Sequence, residues 1–147
     1  MQKRFLALGC LAAFLLAVGG SAISGQEGAS YTLVIKSVQV QTTNADNKSW
    51  DINDGKPDLM VIVRNQEDKD QKAFQTEEKT DTFSADFNAP TTIKARAGQN
   101  LEIEVVDRDV AVNDTSGKTT LKVESDGTKR FEKFGRVILL VVELKKL

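Results

Sequence analysis

From residue 30 to residue 147, short segments rich in β-branched residues alternate with polar turn residues, and this pattern constrains the fold most. No stretch there has the i, i+3, i+4, i+7 apolar spacing of an amphipathic helix. Leu101, Ile103 and Val105 alternate with glutamates, as in a strand with one buried face. The predicted strands span residues 31–41, 58–64, 71–79, 91–95, 101–106, 118–123, 128–134 and 136–144. They predict an all-β fold, an eight-stranded antiparallel β-sandwich.

The N-terminal segment has the order of a secretory signal: a basic start at Lys3 and Arg4, an apolar run over residues 5–18, and small residues after it. The apolar run is shorter than the roughly 20 residues that a membrane-spanning helix needs. We predict a signal peptide over residues 1–25, cleaved after residue 22 or 25, and one domain over residues 26–147. The protein is therefore expected to be secreted or periplasmic.

Composition excludes several classes of function. The chain has no histidine, which removes the commonest general base. Its single cysteine, Cys10, excludes an intramolecular disulfide and a thiolate zinc site. With 20 basic and 21 acidic residues the chain lacks the net positive charge that favours nucleic acid. We expect a monomeric binding or structural module, with no nucleic-acid partner and no enzymatic activity.

Two acidic clusters lie where predicted strands begin or end. Their members are Asp46, Asp51, Asp54 and Asp58 in the first, and Asp107, Asp109 and Asp114 in the second. Carboxylates in such groups repel one another unless a cation neutralises them, and Ca²⁺ accepts about 6–8 oxygen ligands at flexible geometry. An EF-hand loop does not fit, because Ala111 and Val112 fall where that loop needs an oxygen ligand and a glycine. The alternative is ordinary solvated loop polarity.

Several segments resemble the C2 domain family. LVIKSVQV resembles its first strand, KPDLMVIV its "DPYV" strand, and LEIEVVDRDVAVNDTSGKTTLKV the stretch L-x-I-x-V-x-D-x-D followed by D-x-x-G. FGRVILLVVEL resembles the last strand of the circularly permuted arrangement called type II. The resemblance implies an eight-stranded sandwich that holds Ca²⁺ between loops at one end and, in many members, docks on phospholipid.

The resemblance also implies a set of metal ligands, which are Asp51, Asp58, Asp107, Asp109 and Asp114. Asp54 is the alternative to Asp51 in the first loop, and Asp51 is preferred. Asp114 follows Asp109 by one residue fewer than is usual in the family. Leu59 and Met60 occupy the places of the family's proline and tyrosine, so a calcium-free scaffold of the same fold is the alternative.

Three apolar residues near these loops are candidates for membrane docking. Val110 and Val112 lie between two predicted ligands, and Trp50 lies beside the first acidic loop. Apolar side chains at the tip of a calcium loop resemble the way C2 domains enter lipid. The alternatives are a valine that folds back on the core and a tryptophan that is buried in its loop.

The sequence therefore predicts a secreted calcium-binding module that attaches to a phospholipid surface or a protein partner. The alternative is a calcium-independent structural or protein-interaction sandwich of the cell envelope. An enzyme that uses an aspartate pair as acid and base has weak support, because the clusters contain neither a nucleophile nor a histidine.

The signal-peptide interpretation predicts the mass of the exported protein. Intact-mass spectrometry should show a chain that begins at residue 23 or 26, because signal peptidase cuts after small residues. A soluble protein that retains the mass of all 147 residues would contradict the interpretation.

Overall fold

The computed structural model describes residues 28–51, 55–109 and 114–147, which form a sandwich of two four-stranded antiparallel sheets. Its strands are β1 (Ser30–Val40), β2 (Leu59–Asn65), β3 (Phe74–Gln75), β4 (Ser84–Arg96), β5 (Asn100–Asp107), β6 (Asp114–Lys122), β7 (Gly127–Phe134) and β8 (Val137–Lys146). The predicted all-β, eight-stranded sandwich is confirmed. None of the described residues forms a helix long and apolar enough to cross a membrane.

The first sheet has the strand order β4–β1–β8–β7, and the second has the order β3–β2–β5–β6. Their facing sides form one apolar core, whose fully buried members include Leu33 and Ile35 from β1, Val61 from β2 and Ile103 from β5. The alternation predicted for β5 is confirmed, because Leu101, Ile103 and Val105 all enter this core.

Strand β2 is buried on both faces, which explains its unbroken apolar sequence. Its inward residues join the main core, while Met60 and Ile62 face outward and pack with Val106 and Ala73 in a second apolar cluster. Beside this cluster the Arg64 guanidinium bridges Glu102 and Glu104, with 2.7 Å between its Nη1 and Glu104 Oε2.

Two strands differ in length from the prediction. The segment predicted as a strand over residues 71–79 forms only β3 and a single bridge at Lys79. The Thr76 hydroxyl replaces part of the ladder there, because it accepts the Val61 N–H at 3.0 Å. The strand predicted over residues 91–95 extends over the whole of β4, through Pro90. A proline is tolerated because β4 is a sheet edge, where one side needs no ladder hydrogen bond.

The register of the second sheet brings three strand ends to one edge. Asp107, the last residue of β5, pairs with Leu59, the first residue of β2. Asp107 also pairs with Asp114, the first residue of β6. The acidic residues at these strand ends therefore share one end of the sandwich.

Near the same end, β6 crosses very close to the turn between β7 and β8. A Cβ atom on Gly117 would lie 2.5 Å from the Phe134 carbonyl oxygen, and one on Gly135 would lie 2.5 Å from the Ser116 carbonyl oxygen. Gly135 also has φ of 57°, a left-handed conformation that favours glycine. This contact closes the sandwich between the edges of the two sheets.

Gly117→Ala should therefore lower the free energy of unfolding by about 1–3 kcal/mol, because the backbone must move to admit a methyl group. Gly28→Ala is the matched control, since its Cβ would make only an ordinary contact, at 4.0 Å, with Ala97. Urea denaturation measures both. Equal midpoints for Gly117→Ala and the parent would show that the close approach carries no constraint.

Candidate metal centre

Three carboxylates meet at the edge of the second sheet. Asp51, Asp107 and Asp109 each contribute an oxygen, and these oxygens lie within 4.8 Å of one another. Asp51 comes from the long loop after β1, and Asp107 ends β5. Asp109 follows two residues later, a spacing that directs two side chains of an extended segment the same way. The structure thus brings together three of the five predicted ligands.

Asp107 is the most deeply placed of these carboxylates, with an exposed fraction of 2%. Its Oδ1 accepts the Asp58 backbone N–H at 2.7 Å. Burial, together with the charges of Asp109, Asp51 and Asp58, raises the pKa of Asp107 to about 6 against the opposing effect of that hydrogen bond. A buried carboxylate among others is electrostatically costly unless it is protonated or neutralised by a cation.

Asp109 has the same problem in milder form. Burial raises its pKa, and the charges of Asp51, Asp114 and Asp58 act in the same direction. Asp114, at the start of β6, is exposed and lies outside the group of three, although its charge reaches Asp109. The predicted ligand Asp114 therefore stands at the periphery of the cluster.

Asp58 joins the two loops through its backbone as well as its side chain. Besides donating its N–H to Asp107, it accepts the Arg108 N–H at its carbonyl oxygen, at 2.9 Å. Its carboxylate Oδ1 accepts the Asp81 N–H at 2.7 Å. Asp58 lies outside the group of three oxygens, but its charge raises the pKa of both Asp107 and Asp109.

Asp81 is a residue of this region that sequence reasoning missed. It has φ of 49°, and its own carboxylate accepts the Lys56 N–H at 3.1 Å. Aspartate is among the few residues that adopt such a left-handed conformation readily, so an aspartate in a polar turn was the available signal. The signal is too common in loops to single out one position.

The loop that carries Asp51 is held by side chains at its other end. Asn44 Oδ1 accepts the N–H groups of Asp46 at 3.0 Å and Lys48 at 3.1 Å. The Arg136 guanidinium donates to Gln41 Oε1 and the Ala45 carbonyl, each at 2.8 Å, and to Asn47 Oδ1 at 3.0 Å. Because Arg136 lies far away in sequence, nothing in the local pattern announced this role.

Trp50 is partly buried and packs against the main core. Its Nε1 donates to the Gln41 carbonyl oxygen at 2.9 Å. This placement favours the packed alternative over a freely exposed membrane anchor, and docking by Trp50 stays a prediction. Val110, Val112 and Asp54 lie outside the described residues, so their suggested roles also stay predictions.

The donor set fits a hard divalent cation. All the groups are carboxylate oxygens, the ligands that Ca²⁺ and Mg²⁺ prefer, with no imidazole or thiolate among them. Asp58 and Asp114 supply further negative charge within electrostatic reach. The buried Asp107 would gain most from the cation, because it is the carboxylate that water solvates least.

Solved structures share this fold at low sequence identity. The first C2 domain of plant extended synaptotagmin 1 matches with a TM-score of 0.64 and 19% identity, over 82% of this chain and 95% of that one. The calcium-bound pair of C2 domains from extended synaptotagmin 2 matches with a TM-score of 0.56 and 19% identity, over 82% and 46%. At these identities the matches show the fold alone.

A third match is human GIVD cytosolic phospholipase A2 in complex with methyl gamma-linolenyl fluorophosphonate. It has a TM-score of 0.65 and 17% identity, over 81% of this chain but only 17% of the enzyme. The similarity therefore extends to a small part of that protein. Among curated proteins, no sequence matches this chain.

The family model described as "C2 domain" matches residues 32–135, from the start of β1 through the end of β7. This range includes the paired strands β2, β5 and β6 and the acidic residues at their ends. The circularly permuted arrangement is a finer point that stays a prediction. Because the match extends over most of its length and agrees with the observed fold, the chain belongs to the C2 domain family.

Proposed function

We propose that this protein binds Ca²⁺ at the edge of the second sheet and uses the bound ion to attach to a phospholipid surface. C2 domains commonly bind calcium and phospholipid. The observation that carries the proposal is Asp107, a carboxylate buried beside two others with a pKa raised to about 6. The protein then acts as a monomeric binding module rather than an enzyme.

Asp51, Asp107 and Asp109 are the proposed inner ligands, with Asp58 and Asp114 completing the site. The ends of β2 and β5 fix Asp58 and Asp107, so the core of the sandwich opposes the repulsion among the carboxylates. A bound Ca²⁺ would supply the positive charge that this site lacks and would bridge it to a phosphate oxygen. The sheet edge supplies rigidity, and the loops supply the flexibility that calcium geometry tolerates.

We also propose that the protein is exported, so that it meets calcium in the periplasm or outside the cell. The support is the basic, apolar and small-residue order of residues 1–25. A calcium-independent sandwich that binds a protein partner is the alternative, and calcium titration separates the two.

Calcium should raise the melting temperature of the protein. A ligand that binds only the native state adds about 2.7 kcal/mol at a concentration 100-fold above its dissociation constant. The gain should be smaller at pH 5 than at pH 7, because Asp107, with its pKa raised to about 6, must lose its proton to bind the ion. Differential scanning calorimetry in calcium, magnesium and chelator tests this. Magnesium should give less, since it demands tighter octahedral geometry. Superimposable melting curves in calcium and chelator would refute the proposal.

Asp109→Asn should weaken calcium binding while leaving the calcium-free protein as stable as the parent or slightly more so. The amide keeps the shape but removes one charge from a repelling group. Isothermal titration calorimetry and denaturation in chelator measure the two effects. Asp126→Asn is the control, because this exposed residue lies beyond the opposite end of β6 from Asp114. A variant with parental calcium affinity would show that Asp109 is no ligand.

A further inference from the structure

An arginine stands inside the candidate metal centre without joining its carboxylates. Arg108 separates Asp107 from Asp109, and its backbone N–H is fixed to the Asp58 carbonyl oxygen at 2.9 Å. Its Nη1 donates instead to Glu78 Oε2 at 3.0 Å. The Arg108 side chain is 56% exposed. The guanidinium is therefore held at both its root and its tip, with one side open to solvent.

The same arginine faces the space in which an ion would sit. Asp58, Glu78, Arg108 and Asp109 line one open depression on the surface. Two of these four residues are proposed calcium ligands. Anything that approaches the ion from this side therefore meets the Arg108 guanidinium next.

The contact with Glu78 leaves most of the capacity of the guanidinium unused. A guanidinium carries five N–H donors in a planar fork that matches carboxylate or phosphate oxygens. The Glu78–Arg108 pair is exposed, and exposed pairs contribute little to stability. Glu78 thus serves better as a support that orients the fork than as a source of folding energy.

We propose that Arg108 is an anion-binding residue of the metal centre, and that it contacts a phosphate oxygen of an anionic phospholipid that is attached through calcium. This inference rests on the proposed function. Without a cation the five aspartates repel a phosphate group. With the cation in place, Arg108 adds a second positive group beside it, and Glu78 keeps that group aimed at the depression.

Substitution of the two partners separates this role from a structural one. Arg108→Gln should weaken calcium-dependent attachment to anionic vesicles about tenfold relative to the parent, which corresponds to about 1.4 kcal/mol. Glu78→Gln should leave attachment equal or stronger, because Arg108 remains and one negative charge is lost. A merely structural ion pair predicts instead that both variants lose the same contact and change in the same direction.

The sandwich offers a matched control pair. Arg130 and Glu132 on β7 form an exposed pair, with 4.0 Å between Arg130 Nε and Glu132 Oε1, in the other sheet. Arg130→Gln and Glu132→Gln change the net charge by the same amounts as the test variants. Any effect of overall charge on vesicle binding therefore appears equally in this pair.

The experiment is co-sedimentation of the purified protein with phosphatidylcholine vesicles, with and without phosphatidylserine, in calcium and in chelator. Calcium titration in solution accompanies it, and soluble glycerophosphoserine serves as competitor to compare a free headgroup with a membrane. Opposite responses of Arg108→Gln and Glu78→Gln, exceeding those of the control pair and with calcium affinity near the parental value, support the inference.

Two results overturn it, and they differ from failure of the proposed function. If Arg108→Gln binds calcium and sediments like the parent, Arg108 takes no part in docking while the calcium site stands. If both test variants only match the control pair, the effect is overall charge. If the parent itself fails to bind calcium, the proposed function falls and this inference falls with it.

Discussion

One hydrogen bond holds the acidic edge together: the Asp58 N–H donates to the buried Asp107 Oδ1 at 2.7 Å. It joins the start of β2 to the end of β5, and the Arg108 N–H returns to the Asp58 carbonyl oxygen. These two bonds continue the β2–β5 ladder beyond its last pair, Leu59 with Asp107. Carboxylates that would otherwise separate are therefore fixed near one another by backbone donors.

The rest of the sandwich supplies the free energy that this arrangement consumes. Apolar residues of β2 and β5 are fully buried directly behind the edge, among them Val61, Ile103 and Val105. Burying one such side chain contributes about 1.5–3 kcal/mol. A core of this size can hold a few carboxylates in an unfavourable position, and that position is where a cation gains most by binding.

The alternation of β5 made both the fold and part of the site accessible from sequence. Leu101, Ile103 and Val105 predicted a half-buried strand, and its end located Asp107 and Asp109. The contacts of Asp81 and Arg136 could not be predicted in this way. Each acts through groups that are distant in sequence, Asp58 for the first and the loop after β1 for the second. Periodicity reports which face of a strand is buried, but it does not report which distant loop a polar side chain reaches.

The departure of this chain from the usual C2 sequence at Leu59 has a structural consequence for the site. Proline has no N–H, whereas the Leu59 N–H donates to the Lys79 carbonyl oxygen at 2.8 Å and Leu59 accepts the Lys79 N–H at 2.9 Å. This bridge fixes the segment beside β2, and the residue before Lys79 is Glu78. A leucine in place of proline thus helps to hold the carboxylate that orients Arg108. The substitution that makes the family motif degenerate in sequence therefore ties a second segment to the acidic edge, and it preserves the strand end on which Asp58 and Asp107 depend.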